Sequence, residues 1–367
     1  MLSGQVDFSS GLTDESRILV TGGSGFIGTN LVAAYRAAGI SVANADVDEP
    51  RNAADSDLWT RVDVTREDEV RAIVRQFRPT HVFHLAARTD LNGEVLADYA
   101  ANVNGVEVLL RAVTNADSPI SRLVVTSSRM VCRIGYTPSS DHDYCPPNAY
   151  GASKVETERL VRQASGPPWV LARPTSIWGP WFDVPYRDFF LSVARGRYVH
   201  PVGRRIRKSF GFVGNTSWQL HRLLTAPRGD VVGRTFYLAD DPPIEVKDFA
   251  ERISAALGRR PPPSVPLALL SLLAVGGDLV ERTGRRAPLT RFRLANLLTE
   301  MLHDPVPLER VAGPAPYDLD SGVSMTVDWL RHEGLLDRRP RVRKRLSVAD
   351  RRLLSIAGRR RRSRSSD

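Results

Sequence analysis

The segment Thr21-Gly22-Gly23-Ser24-Gly25-Phe26-Ile27-Gly28 constrains this chain more than any other stretch of its 367 residues. An apolar, strand-like run from Arg17 to Thr21 precedes it, and Phe26 to Ala38 after it has helical spacing. Glycines spaced GxxGxxG between a strand and a helix have distinct uses. Gly22 and Gly25 permit a tight turn and close backbone approach to a pyrophosphate, and Gly28 lets the helix close on the strand. The helix start, with Phe26 and Ile27 in it, then offers free N–H groups and a positive dipole to phosphate oxygens. A second strand, Ile40 to Ala45, ends at Asp46. A carboxylate there suits the hydroxyls of an adenosine ribose and repels a 2′-phosphate, so NAD is expected rather than NADP. Arg51 lies close enough in sequence to soften that preference. A glycine turn without a ligand is the alternative reading.

The remaining pattern extends this unit. Helical spacing at Glu67 to Gln76, Tyr99 to Val113 and Tyr150 to Gln163 alternates with strand-like runs at His81 to Leu85, Leu123 to Thr126 and Trp169 to Ala172. Such alternation predicts an α/β fold, a doubly wound parallel sheet, over residues 17–180. Beyond Gly179-Pro180 the alternation stops. Residues 181–335 are expected to form mainly a smaller C-terminal substrate-binding domain, with one strand, Thr235 to Leu238, returning to the sheet and a helix from Val246 to Leu257. Residues 1–16 read as an N-terminal extension.

Charge and composition exclude several classes. The net charge is +10, yet thirteen basic and two acidic residues lie between Arg338 and Asp367, so the rest of the chain is close to neutral. Nucleic acid is therefore not an expected partner of the body. The tail, residues 336–367, reads as a disordered extension or as an anchor to an anionic membrane surface, with Leu353, Leu354 and Ile356 reaching the lipid. Two cysteines, Cys132 and Cys145, are too few for a disulfide framework, and the first residues lack a secretory pattern. A cytoplasmic location, or one peripheral to a membrane, is the expectation, with no metal site. Val265 to Val275 is too short to span a bilayer and is expected to be an ordinary buried helix, with an interfacial helix as the alternative.

Tyr150 and Lys154 open a helix four residues apart and share a face. An ammonium beside a phenol favours the phenolate and lowers its pKa. By itself this spacing fits a surface pair. Ser127 and Ser128, at the end of the strand Leu123 to Thr126, change the reading, because ligands of open α/β sheets bind at strand C-termini. Ser128, Tyr150 and Lys154 are the candidate catalytic residues.

As a set, TGGSGFIG, Asp46, Asp63-Val64-Thr65, His84-Leu85-Ala86-Ala87, Asn102-Val103-Asn104-Gly105, Thr126-Ser127-Ser128, YGASK at Tyr150 to Lys154 and RPTSIWGP at Arg173 to Pro180 resemble the extended short-chain dehydrogenase/reductase superfamily, in its branch of NAD-dependent epimerases and dehydratases. The resemblance implies that Tyr150 exchanges a proton with a substrate hydroxyl, Ser128 orients its oxygen, and Lys154 holds the nicotinamide ribose. It implies that Asp63 and Val64 flank the adenine, that Leu85, Ala86 and Ala87 line the cofactor, and that Asn102 supports the hydrogen-bond network. A homodimer is usual in the family. His84 is expected to pack beneath the cofactor and Cys132 to be a small buried side chain.

The substrate signal is divided. Arg207-Lys208-Ser209-Phe210-Gly211-Phe212-Val213 resembles the phosphate-contacting stretch of sugar-nucleotide epimerases, with Lys208 in the place of an arginine. Ser176 stands where the family usually has an asparagine. Arg88, Ser176 and Lys208 are the substrate-side candidates, and a nucleotide sugar is the expected small-molecule substrate. The second half, at Val265 to Leu273, Ala287 to Thr290 and Ser321 to Trp329, resembles instead 3β-hydroxysteroid dehydrogenase-like members, which oxidise lipophilic alcohols. Ser128-Arg129-Met130 lacks the Asp-Glu pair common in dehydratases, which makes dehydration the least favoured reaction. A non-catalytic dinucleotide sensor or scaffold is the third reading, against which the intact Ser128, Tyr150 and Lys154 argue.

Overall fold

A computed structural model describes residues 6–336 except 285, 286 and 288; the basic tail singled out above lies almost wholly outside the described residues. Seven strands form one sheet: β1 Arg17–Thr21, β2 Ser41–Asp46, β3 Trp59–Arg61, β4 His81–His84, β5 Arg122–Thr126, β6 Trp169–Pro174 and, last, Thr235–Leu238. All pairings are parallel, in the order Thr235–Leu238, β6, β5, β4, β1, β2, β3. From β1 the chain builds outward through β2 and β3, then crosses back to β4 on the other side. That reversal opens a crevice at the C-terminal ends of β1 and β4, where ligands of doubly wound sheets bind.

Period-two alternation decides which way each strand residue points. Ile18, Val20, Val124, Val170 and Ala172 face one core layer, whereas Leu19, Leu123, Val125 and Leu171 face the other. The first layer is covered by α1 (Phe26–Ala37) and the helices Val213–Thr225 and Val306–Ala312. The second is covered by α2 (Glu67–Phe77), α3 (Ala100–Thr114) and α4 (Ala149–Gln163). Because both faces are buried, the strands read as unbroken apolar runs. β3 escapes such a reading, since Trp-Thr-Arg is short and mostly exposed at the sheet edge.

The second half packs a separate core rich in aromatic rings. Trp178 has its ring centroid 5.1 Å from Phe212 and 4.9 Å from Phe249. Phe182, Phe190, Tyr317, Val323 and Val327 complete this cluster. Thr235–Leu238 leaves this half to extend the sheet beside β6.

Two expectations change. The N-terminal segment is part of the core: Phe8 is 4% exposed. Its ring lies 5.7 Å from Tyr35, 6.1 Å from Trp218 and 5.3 Å from His221. The apolar run near Val265 is not an ordinary buried helix. Its helix spans Leu267–Arg282 and rests on the short helix Arg291–Leu298, so among the described residues one stripe, Leu267, Leu270, Ala274 and Gly277, meets partners, at Leu294, Leu298 and Leu289. Leu272, Leu273 and Leu279 remain 69%, 53% and 57% exposed. One narrow helix can cover only one stripe of another, and the sequence places leucines on more than one face.

Phe8 closes the layer behind α1, so truncating its ring leaves a cavity. Phe8→Ala is expected to destabilise the fold by about 3 kcal/mol or more. Chemical denaturation of the two proteins checks this, and an unchanged midpoint would show that the segment contributes nothing.

Candidate active site

The glycine loop leaves β1 with Gly22 at φ +78°, in the left-handed region. A Cβ there would lie 2.4 Å from the backbone nitrogen of Ala86, so the loop runs directly against the chain leaving β4. A Cβ on Gly28 would meet the Gly22 carbonyl at 2.3 Å, which fixes how closely α1 approaches the loop. Gly25 occupies the N-cap position, and no side chain caps α1. The first-turn N–H groups are thus left by the fold for an anion. Leu85 is tied in turn to β1, its N–H donating to the Thr21 carbonyl at 2.9 Å. Phe26 and Ile27 pack back onto the aromatic core of the second half, Phe26 with its ring 6.3 Å from Phe182.

Asp46 ends β2 beside this loop. One carboxylate oxygen accepts the Ser24 N–H at 3.0 Å and the other accepts the Asp48 N–H at 3.1 Å. Burial nonetheless lifts its pKa above the usual value. Arg51 donates to the Ser24 carbonyl at 3.1 Å and to the Trp181 carbonyl at 2.8 Å, and pairs with Asp183 at 3.0 Å. Its charge is therefore engaged in joining the glycine loop to the second half. An uncapped helix start, a loop without room for side chains and a carboxylate at the end of β2 fit a dinucleotide with free ribose hydroxyls. Asp63 accepts from both the Thr65 N–H (2.9 Å) and hydroxyl (2.7 Å), a turn that starts α2. Val64 is buried against Gly105. His84 is enclosed and neutral, its Nδ1 2.7 Å from the Thr21 hydroxyl, with burial pushing its pKa down to about 3.

The catalytic candidates come together at the end of β5. Asn148 caps α4 by accepting the Gly151 N–H at 2.9 Å, which sets the helix start at Ala149 and aims Tyr150 at the strand end. Ser128 opens the short turn after β5, where its hydroxyl accepts the Met130 N–H at 3.1 Å. The Ser128 hydroxyl lies close enough to Tyr150 to favour its phenolate. Asn102, on α3, is fully buried and spans the gap to α4: its Oδ1 accepts the Arg88 N–H at 2.7 Å and its Nδ2 donates to the Ser153 hydroxyl at 2.9 Å. Ser153 donates in turn to the Tyr150 carbonyl at 2.7 Å.

Lys154 does not do what the spacing suggests. Its Nζ donates to the Thr126 carbonyl at 3.0 Å, and burial lowers its pKa to about 8. Burial raises the Tyr150 pKa, opposed by the Ser128 hydroxyl and the charge of Arg129 rather than by Lys154. Sharing a helix face brings Tyr150 and Lys154 to one side, but the ammonium is drawn to the nearest open strand carbonyl.

The substrate-side candidates also separate. Arg88 is not free: it holds Asp90 at 2.8 and 3.1 Å and the Asp98 carbonyl at 2.7 Å. Ser176 is buried, with its hydroxyl 3.8 Å from the Met301 sulfur. Lys208 donates to the Asn296 carbonyl at 2.6 Å, and burial with the nearby Arg129 lowers its pKa to about 8. Cys132 is a buried free thiol, as expected.

Two features of the site carry no expectation from sequence. One is Arg129, which points among Tyr150, Tyr186 and Tyr237. The other is Glu158, two turns after Tyr150 and fully buried. Glu158 accepts from the Ser127 hydroxyl at 2.6 Å, from the Tyr144 hydroxyl at 2.9 Å and from Arg173 at 2.8 Å on each oxygen. The signal was present: Tyr150, Lys154 and Glu158 repeat every four residues, and Arg173 interrupts an otherwise apolar strand.

Comparison with known proteins agrees with this geometry. The family model described as NAD dependent epimerase/dehydratase family matches residues 18–200. A 3 beta-hydroxysteroid dehydrogenase/Delta 5-->4-isomerase of Mycobacterium tuberculosis is 32% identical, over 68% of this chain and 72% of its own. A 3-beta-hydroxysteroid dehydrogenase of Mycolicibacterium neoaurum is 28% identical, over 82% of this chain and 83% of its own. The crystal structure of a UDP-glucose 4-epimerase of Thermus thermophilus in complex with NAD superposes with a TM-score of 0.65 at 22% identity, over 86% of this chain and 99% of that one.

Glu158 yields a stability prediction. Removing one partner of a buried ion pair strands the other, so Glu158→Ala is expected to cost about 3–5 kcal/mol in denaturant unfolding. Burial by itself would raise its native pKa, but the hydrogen bonds and positive charge of Arg173, helped by Ser127 and Tyr144, outweigh burial and lower it. The stabilisation is thus complete above its unfolded value near 4.5 and drains away as pH falls through the lower native value. Wild type should lose stability faster than Glu158→Gln over that acid range, and parallel pH profiles would contradict this.

Proposed function

The chain belongs to the NAD-dependent epimerase/dehydratase family and is an NAD-dependent enzyme of the oxidoreductase/epimerase type; on that premise we propose that it acts on a secondary hydroxyl of a nucleotide sugar with Tyr150 as proton carrier. The observation that supports this best is the meeting of Ser128 and Tyr150 at the end of β5, with Lys154 buried beside them and the glycine loop one crevice away. Bound NAD supplies the acceptor for the hydrogen and electron pair leaving the carbinol carbon. Ser128 orients the hydroxyl oxygen while Tyr150, in its phenolate form, receives the hydroxyl proton. Lys154 is the residue within the crevice that would hold the nicotinamide ribose. A phenol whose pKa is raised by burial keeps that proton ready for return. This suits a reversible step, the half-reaction shared by net oxidation and epimerisation.

A lipophilic alcohol is the second reading. It is favoured by the exposed leucines of the helix Leu267–Arg282 and by relatives whose names specify 3-beta-hydroxysteroids. Among the described residues no helix is long and apolar enough to cross a membrane. In this reading the enzyme works in the cytoplasm at an anionic membrane surface, with that helix at the lipid.

Tyr150→Phe is expected to keep NAD-induced thermal stabilisation while turnover falls by about a hundredfold or more. Undiminished turnover would remove Tyr150 from the chemistry. Melting scans in saturating NAD, adding UDP, dTDP, GDP or a steroid alcohol in turn, separate the two substrate readings. A ligand at a hundred times its Kd adds about 2.7 kcal/mol of stability. A shift with one nucleoside diphosphate supports the first reading, and a shift with the steroid alone supports the second.

A further inference from the structure

Arg129 follows Ser128 directly, on the short turn Arg129–Val131 that closes β5. Its side chain is half-buried, its guanidinium nitrogens are not wholly enclosed, and it makes no ion pair or hydrogen bond among the described residues. Around it stand three phenols, Tyr150 from α4, Tyr186 from the second half and Tyr237 from the last sheet strand. The other charged or titratable neighbours are no help to a cation. Lys208 and His303 both sit close enough for Arg129 to repel their protons, and His303 is held down at about 4, largely by burial. His303 stacks on Tyr237 at 4.2 Å between ring centroids, and its Nε2 is buried without a partner. No carboxylate among the described residues pairs with Arg129: Glu158 pairs with Arg173 at 2.8 Å and Glu300 with Arg207 at 3.1 Å.

A guanidinium cannot give up its proton to escape such a place, since its pKa stays above about 12. Enclosing it fully without a counter-charge is unfavourable. A neutral substrate filling this space would remove the remaining water from Arg129 and Lys208 and enlarge that cost. An anionic group would remove it, and the fork of an arginine matches the two oxygens of a carboxylate or phosphate. The dinucleotide pyrophosphate is not that anion, because its cradle is the start of α1, whereas Arg129 opens toward residues of the second half.

We propose that Arg129 is a specificity-determining residue that binds an anionic group of the substrate, a carboxylate or a phosphate, beside the hydroxyl that Tyr150 deprotonates. This rests on the reading of Ser128 and Tyr150 as the reacting pair and narrows its substrate. A nucleotide sugar satisfies the requirement through its diphosphate or an acidic sugar. A lipophilic alcohol satisfies it only if it carries an acid of its own.

The test uses the full chain with NAD, as wild type, Arg129→Met and Arg129→Lys. Melting titrations use inorganic pyrophosphate, UDP-glucose, UDP-glucuronic acid and a neutral 3β-hydroxysteroid. Stabilisation by NAD should be the same in all three proteins, which also confirms folding. For the anions that bind wild type, half-saturation should rise tenfold or more in Arg129→Met and recover in part in Arg129→Lys. A loss confined to UDP-glucuronic acid identifies the group as a carboxylate, and one shared with pyrophosphate and UDP-glucose identifies it as a phosphate. Equal half-saturation in wild type and Arg129→Met for every anion, or stabilisation of wild type by the neutral steroid alone, overturns the proposal. So does a change in the pH dependence of kcat with KM intact, which would make Arg129 a tuner of Tyr150. If Arg129→Met does not fold, Arg129→Lys carries the comparison, because it keeps the charge and loses the fork. Full turnover by Tyr150→Phe would sink the reaction reading but leave these binding measurements standing, so the two failures are distinguishable.

Discussion

The buried pairing of Glu158 with Arg173 holds the reactive end of this molecule together. Glu158 lies on the same face of α4 as Tyr150 and Lys154, and its oxygens take hydrogen bonds from β5 through Ser127, from β6 through Arg173 and from the preceding loop through Tyr144. A helix packed on a sheet by apolar contacts alone can slide or rotate by small amounts at little cost. A charged network with each partner satisfied has far fewer arrangements of comparable energy. Tyr150 meets Ser128 because α4 is fixed two turns further on. Arg173 also reaches Tyr237 at 3.0 Å, so the same pair draws the last sheet strand, and the half of the chain that follows, to the site.

The crevice is divided by charge into two sides. On the cofactor side the N–H groups of α1 face an anion and Asp46 awaits hydroxyls. On the side proposed for the substrate, Arg129 stands among phenols with Lys208 close by, while Glu158 and Glu300 have arginine partners of their own. Tyr150 stands between the two. Its proton affinity is raised by enclosure and moderated by Ser128 and Arg129, so what binds on the substrate side also influences the group proposed to move the proton. Substrate recognition and acid–base tuning are in this reading coupled through one cation.

Much of this was legible in the residues. The glycine loop, the strand ending at Asp46, the serine strand and the Tyr150–Lys154 helix occupy the crevice that their order along the chain implies, because each depends on local spacing within a regular parallel sheet. Other expectations depended on long-range partners and changed. Arg88 is spent on Asp90 and Asp98 and Arg51 on Asp183, and Lys154 gives one of its three donors to a strand carbonyl. The helix near Val265 has an apolar sequence but too small a neighbour to cover it. Phe8, in a segment with no pattern, fills a gap behind α1.

The sequence alone determined the parallel sheet, the dinucleotide cradle and the candidate for proton carrier, since periodicity, glycine positions and helix-face spacing are local properties of the backbone. Tertiary structure alone decided which charges are free. An arginine or carboxylate reads the same in a sequence whether or not a partner meets it, and the partners of Glu158 come from residues as far apart as Ser127 and Arg173. The lack of any partner for the Arg129 side chain among the described residues is likewise a fact of packing. The further desolvation that a bound substrate would impose is what makes an anion the proposed partner of that charge.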